Sequence, residues 1–153
     1  MLRSYPMTRS IKVPCCKNEL QTVRDFVQEQ LSSYALSDVT VSQLVLAVDE
    51  ICSNLIIHSH NCDPNHSIEL TIDVNAQDGI TFEIRDRGKG FNFRTYQEPC
   101  IKEIIKTQRK GGVGLLLVRR IMDRLECDFN DQTQRNVYRL QKFVKVDPRS
   151  AAD

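Results

Sequence analysis

The chain has 153 residues, 41% hydrophobic and 27% charged, with a formal net charge of +1, which suits a single globular domain with one core. So balanced a charge offers no field to gather nucleic acid or an anionic membrane, no apolar run approaches the ~20 residues of a membrane span, and residues 1–14 carry no apolar signal region. The expected setting is cytoplasmic, where Cys15, Cys16, Cys52, Cys62, Cys100 and Cys127, none in a CxxC pair, stay free thiols.

Residues 1–7 read as a flexible end, and Ile11 with Val13 predicts a short strand stopped by Pro14. Asn18 and Gln21 have the spacing of a capping box at the start of a first helix, with Leu20, Val23, Val27, Leu31 and Tyr34 on its apolar stripe. A second such box, Thr40 and Gln43, precedes a stripe of Leu44, Val48, Ile51 and Leu55. Two alternating strands follow, one through Ile68, Leu70, Ile72 and Val74 and one through Ile80, Phe82 and Ile84, joined across the hairpin signal Asp78-Gly79. Residues 86–112 hold Gly88, Gly90, Gly111 and Gly112 and one short helical pattern, Ile101, Ile104 and Ile105; a segment this long with little structure is usually functional or disordered. Val113, Leu117, Ile121 and Leu125 predict a third helix, strands at 127–130 and 137–144 close the domain, and residues 146–153 read as a flexible tail. The order β-α-α-β-β-loop-α-β-β predicts an α+β domain over residues 8–145, a two-layer α/β sandwich whose mostly antiparallel mixed sheet is covered on one face by three helices.

Three constellations carry chemistry. Glu50, Asn54 and His58, spaced by four, fall on one helical face, each about 40° round from the last, at the edge of the buried stripe. A carboxylate can take a proton, and an amide oxygen is a hard, neutral ligand suited to Mg²⁺. Asp86-Arg-Gly-Lys-Gly-Phe91 ends a strand with an acceptor for an exocyclic amine, and Gly88 and Gly90 allow positive φ and close approach of a ligand. Lys110-Gly-Gly-Val-Gly114, beside Arg109, opens a helix whose free N–H groups suit an anion. Taken singly, each is also what an ordinary amphipathic helix, a glycine-rich strand exit or a basic helix start would look like. Neither glycine cluster completes a P-loop or GxGxxG.

In this order the three motifs resemble the N, G1 and G2 boxes of the Bergerat-fold (GHKL, histidine-kinase-like) ATPases, and the chain most resembles the small anti-sigma-factor serine/threonine kinases of that superfamily, over about residues 8–145. The resemblance implies ATP and Mg²⁺ as cofactors, Glu50 as general base, and Asn54 as the Mg²⁺ ligand with His58 beside it. It implies Asp86 on the adenine amine, Gly88 and Gly90 shaping the base pocket, and residues 91–110 as the ATP lid. Arg109, Lys110, Gly112, Val113 and Gly114 would meet the phosphates. The family's Gly-Thr near the last strand reads Arg135-Asn136 here, so Asn136 stands where a threonine contact to adenine is expected.

The function so implied is an ATP-binding anti-sigma factor and protein serine/threonine kinase that phosphorylates a serine on an anti-sigma-factor antagonist and so switches partners, with no nucleic-acid or membrane partner. Its alternatives are an ATP-dependent binding switch without transfer and a detached histidine-kinase catalytic domain. Relatives of this kinase type pair near the first strand, which Ile11 and Val13 would allow in a homodimer. His58, His60, Cys62 and His66 are metal-ligand types, but their spacing matches no zinc pattern, and a helix end plus loop accounts for them.

Overall fold

The computed structural model describes residues 7–88 and 110–149. Strands β1 (Met7–Pro14), β2 (Ser67–Asn75), β3 (Gly79–Asp86), β4 (Arg124–Asn130) and β5 (Arg135–Lys142) form one sheet in the order β1-β2-β3-β5-β4. All four ladders are antiparallel. Helices α1 (Glu19–Leu31), α2 (Asp38–Ser53) and α3 (Lys110–Ile121) are the helices of the described residues, with a π-helical turn (Asn54–Ser59) continuing α2.

Alternation along the strands decides the layering. Ile68, Leu70, Ile72, Val74, Ile80, Phe82, Ile84, Tyr138 and Leu140 are buried in the same cluster as Leu20, Val23, Val27 and Leu31 of α1 and Leu44, Ala47, Val48 and Ile51 of α2. The opposite face is a charged ladder: Arg85 bonds Glu83 and Thr71, and Arg139 bonds Glu83 and Asp128. Those acceptors hold the Arg139 guanidinium even more firmly charged than usual. The β2–β3 turn uses Gly79 at φ +79° after an Asx-type turn, in which Asn75 Oδ1 accepts from the Gln77 and Asp78 amides at 3.0 and 2.6 Å.

Several local expectations are corrected. Asn18 makes no side-chain cap, and α2 is capped by Ser37, whose Oγ accepts from Thr40 N at 3.1 Å, so that helix starts before Thr40. In α3 Gly114, Val118 and Ile121 are buried, so Ile121 lies on the expected stripe, but Leu117 is exposed and Val118 takes its place; the helix ends at Ile121 and Leu125 belongs to β4. Residues 146–149, whose composition predicts a frayed end, are tied to the α1–α2 connection. Val146 is buried, Ala35 N donates to Asp147 O at 2.9 Å and Arg149 N to Ser33 O at 2.8 Å. Asp38–Ser59 is also a continuous 22-residue helical span apolar enough, by length and composition, to cross a membrane, but its apolar stripe is the core contact described above.

Candidate functional site

The site starts where α2 changes pitch. The His60 amide donates to Leu55 O at 2.9 Å, five residues back rather than four. The wider turn shifts every side chain beyond it around the axis. Glu50 and Asn54 keep their shared face, since they precede or open the turn. His58 is carried to an exposed position and His60 becomes buried, 3% exposed. The chain then leaves through Asn61 and Cys62, both left-handed at φ 51° and 56°, a conformation that costs roughly 1–3 kcal/mol for a residue such as Cys62.

His60 meets the end of β3. Asp86, 2% exposed, is bound on both carboxylate oxygens: Oδ2 lies 2.7 Å from His60 Nε2 and Oδ1 accepts from Asn136 Nδ2 at 3.1 Å. Asn136 reaches it because the β3–β5 register sets the two residues directly opposite, and the same Nδ2 donates to Gly88 O at 2.9 Å. An ionised carboxylate only accepts, so His60 Nε2–H is the donor. With His60 neutral, its Nδ1 accepts from the His66 Nδ1–H at 3.0 Å, the rings meeting edge to face. Gly88 is needed for close approach rather than for positive φ: a Cβ there would lie 3.2 Å from His60 Cε1.

The second cluster joins α2 to α3. Glu50 lies against Gly114, where any Cβ would fall inside its carboxylate, 2.9 Å from Cδ. Burial, then the neighbouring Asp49 charge, raises the Glu50 pKa; Asp49 itself is anchored to Arg24 at 2.8 Å. A carboxyl tuned upward is a better proton acceptor at neutral pH than an ordinary surface glutamate. One turn on, Asn54 Nδ2 is buried without a hydrogen-bond partner, alone in this among the described residues. An orphaned buried amide costs about 1–3 kcal/mol, and rotating it by half a turn about its last bond would offer its oxygen instead. The donor set therefore fits a ligand that supplies what the chain does not, Mg²⁺ for the oxygen or an anionic oxygen for the NH₂.

Lys110, Gly112 and Val113 lie in the first turn of α3, whose leading N–H groups have no intrahelical acceptor. Gly90, Arg109, Cys100, the 101–105 pattern and lid residues 91–109 fall outside the described residues. No cluster of three or more His, Cys, Asp or Glu side chains suited to a metal occurs among the described residues. Cys15, Cys16, Cys52, Cys62 and Cys127 form no disulfide; burial, then the Asp86 charge, pushes the Cys15 thiol up to about 11, and burial raises Cys52 as well, so both act as small core residues. Sequence reasoning weighed His60 and His66 only as metal-ligand types and did not place them beside Asp86, because the π turn that brings His60 to Asp86, with His66 behind it, leaves no sequence signal.

The family model of the histidine kinase-like ATPase domain matches residues 14–142. A serine-protein kinase RsbW of Oceanobacillus iheyensis is 25% identical over 117 residues, 74% of this chain and 73% of that protein. An anti-sigma F factor of Clostridium perfringens is 28% identical over 106 residues, 66% of this chain and 74% of that one. Among solved structures, the SiaB–SiaC complex from Pseudomonas aeruginosa contains a similarly folded chain, with TM-score 0.57 over 91% of this chain and 89% of that chain at 14% identity.

Proposed function

Because the chain belongs to the histidine kinase-like ATPase domain family, we propose that it binds Mg·ATP and acts as a protein serine/threonine kinase and anti-sigma factor, phosphorylating a serine on an antagonist protein and thereby exchanging partners. The names of its relatives, serine-protein kinase and anti-sigma F factor, support this reading. The observation that carries it is the α2–α3 junction, a carboxyl with a raised pKa beside a helix start and an amide left without a partner.

Each residue then has a task. Asp86 accepts from the exocyclic amine of adenine, held in place by His60 and Asn136; a carboxylate oxygen carries two lone-pair sites, so the internal bonds leave room for that contact. The α3 N–H groups and Gly112, Val113 and Gly114 receive phosphates, with Lys110, Arg109 and Gly90 assigned by the motif alone. Asn54 holds Mg²⁺, which when bound neutralises charge developing on the phosphoryl oxygens. Glu50 takes the proton of the incoming serine hydroxyl. His58, exposed beyond the π turn, is given no contact with nucleotide. The sigma factor, and a second copy of the chain along β1, are the further partners proposed.

The test is incubation with γ-labelled ATP and candidate antagonists. Label on a partner serine is expected. Tight ATP binding with no label on any antagonist would replace the kinase by an ATP-dependent binding switch.

A further inference from the structure

Beside the residues assigned above, the end of the sheet holds a cavity of about 350 Å³. Register builds it: Lys12 of β1 lies opposite Glu69 of β2, and Glu69 opposite Arg85 of β3, on the face turned away from the helices. Arg87, Arg135 and His66 close the rim, and the His60–Asp86 pair also lines it. Four cationic side chains thus face two carboxylates. Asp86 is already held on both oxygens, and Glu69 stands 3.7 Å from Arg85 and 3.8 Å from Arg135, shared loosely between them. Arg85 is further engaged by Glu83 and Thr71. Lys12 and Arg87 have no side-chain hydrogen bond or ion pair among the described residues. Gathering uncompensated like charges in a concavity is unfavourable unless an anion enters.

We propose that this cavity is a binding site for a phosphomonoester dianion, with Lys12, Arg87 and Arg135 on the phosphoryl oxygens. Two unpaired cations match a dianion better than a single carboxylate. The planar guanidinium forks fit a phosphoryl group, with the lysine as a point charge. The volume exceeds a bare oxyanion, leaving room for an organic group against Asn65 and Ser67. The described lining contains no residue of α3, and the phosphoryl assignment to Lys12, Arg87 and Arg135 does not rest on the nucleotide reading, although His60 and Asp86 are shared with the proposed adenine contact.

The test follows arginine Nε–H resonances of the ¹⁵N-labelled full chain during titration with phosphoserine, glycerol 3-phosphate and inorganic phosphate at constant ionic strength. Saturable shifts at Arg87 and Arg135 are expected, stronger for the esters, with Lys12→Met and Arg135→Gln each weakening binding about tenfold and leaving Mg·ATP affinity unchanged. Tighter binding of phosphoserine than of glycerol 3-phosphate points to a modified protein as the source, the reverse to a small metabolite, and either supports the site. Shifts that grow linearly with anion and are the same in both variants would reduce it to charge screening. Inorganic phosphate binding as tightly as the esters would overturn the ester assignment.

Discussion

The two halves of the candidate site are built on opposite terms. At the end of β3, Asp86 is braced from within: His60 and Asn136 each hold one of its oxygens while a lone-pair site stays open on it, and His66 braces His60. At the α2–α3 junction the chain leaves needs unmet, with Glu50 pushed toward protonation and Asn54 Nδ2 buried without a partner. A satisfied buried network is rigid and costly to disturb, whereas an unsatisfied group costs stability until a ligand arrives. One half is preformed recognition, and the other is held ready at the expense of the fold.

The largest effect that would test this contrast is on rate. Glu50→Gln should keep Mg·ATP binding in calorimetry and slow single-turnover phosphoryl transfer by about 10²–10⁴-fold, toward the lower end because a loose transition state asks little of a base. A wild-type rate would remove Glu50 from that role. Next comes the braced half. Asp86→Asn puts an NH₂ against one of the two donors, from His60 or from Asn136, so it should lose ATP affinity by about a hundredfold and also cost about 1–3 kcal/mol in denaturant unfolding; unchanged stability would mean that the network is not braced as described.

Asn54→Ala should move the two readouts in opposite directions. Mg-dependent nucleotide binding should weaken, while stability without ligand should hold or rise by up to about 1 kcal/mol, because an orphaned polar group is gone. A clear loss of stability would show that the amide has a structural partner. The smallest effect is one of pH. Glu50 has a raised pKa in the fold, so its favourable contribution is fully present below the unfolded carboxyl value and is lost as pH rises through the folded one. Glu50→Gln should therefore match wild type near pH 4 and be slightly more stable at neutral pH; parallel unfolding curves across that range would contradict the shift.

The strands were legible because alternation is a local signal: Ile68 to Val74 and Ile80 to Ile84 all fall on the core face. Glu50 and Asn54 were legible because four-residue spacing survives up to the turn. The π turn was not, since one extra residue per turn leaves no mark in composition, and it decides that His60 rather than His58 is buried. In α3 Ile121 was read correctly, but Leu117 was taken for the buried position that Val118 holds, because Gly114 on that face carries no hydrophobic signal although it is where Glu50 needs space. Asn136 could be singled out as standing in a threonine's place, but its partner was fixed by a register that only the folded sheet displays.

That register has a consequence for how the chain reaches its native state. Asp86 and Asn136 are 50 positions apart, and β5 also separates β4 from the rest of the sheet. The β2–β3 hairpin pairs neighbours in sequence and can form early, but docking β5 on β3, like pairing β1 with β2, closes a long loop whose entropy cost must be met before any of its contacts form. Asp86, the carboxylate proposed to recognise the base, is therefore fully braced only when nearly all of the chain has been synthesised. A ribosome-bound intermediate ending before Arg135 would hold most of the core and still be unable to clamp Asp86, so nucleotide can stabilise the finished domain but cannot template its assembly.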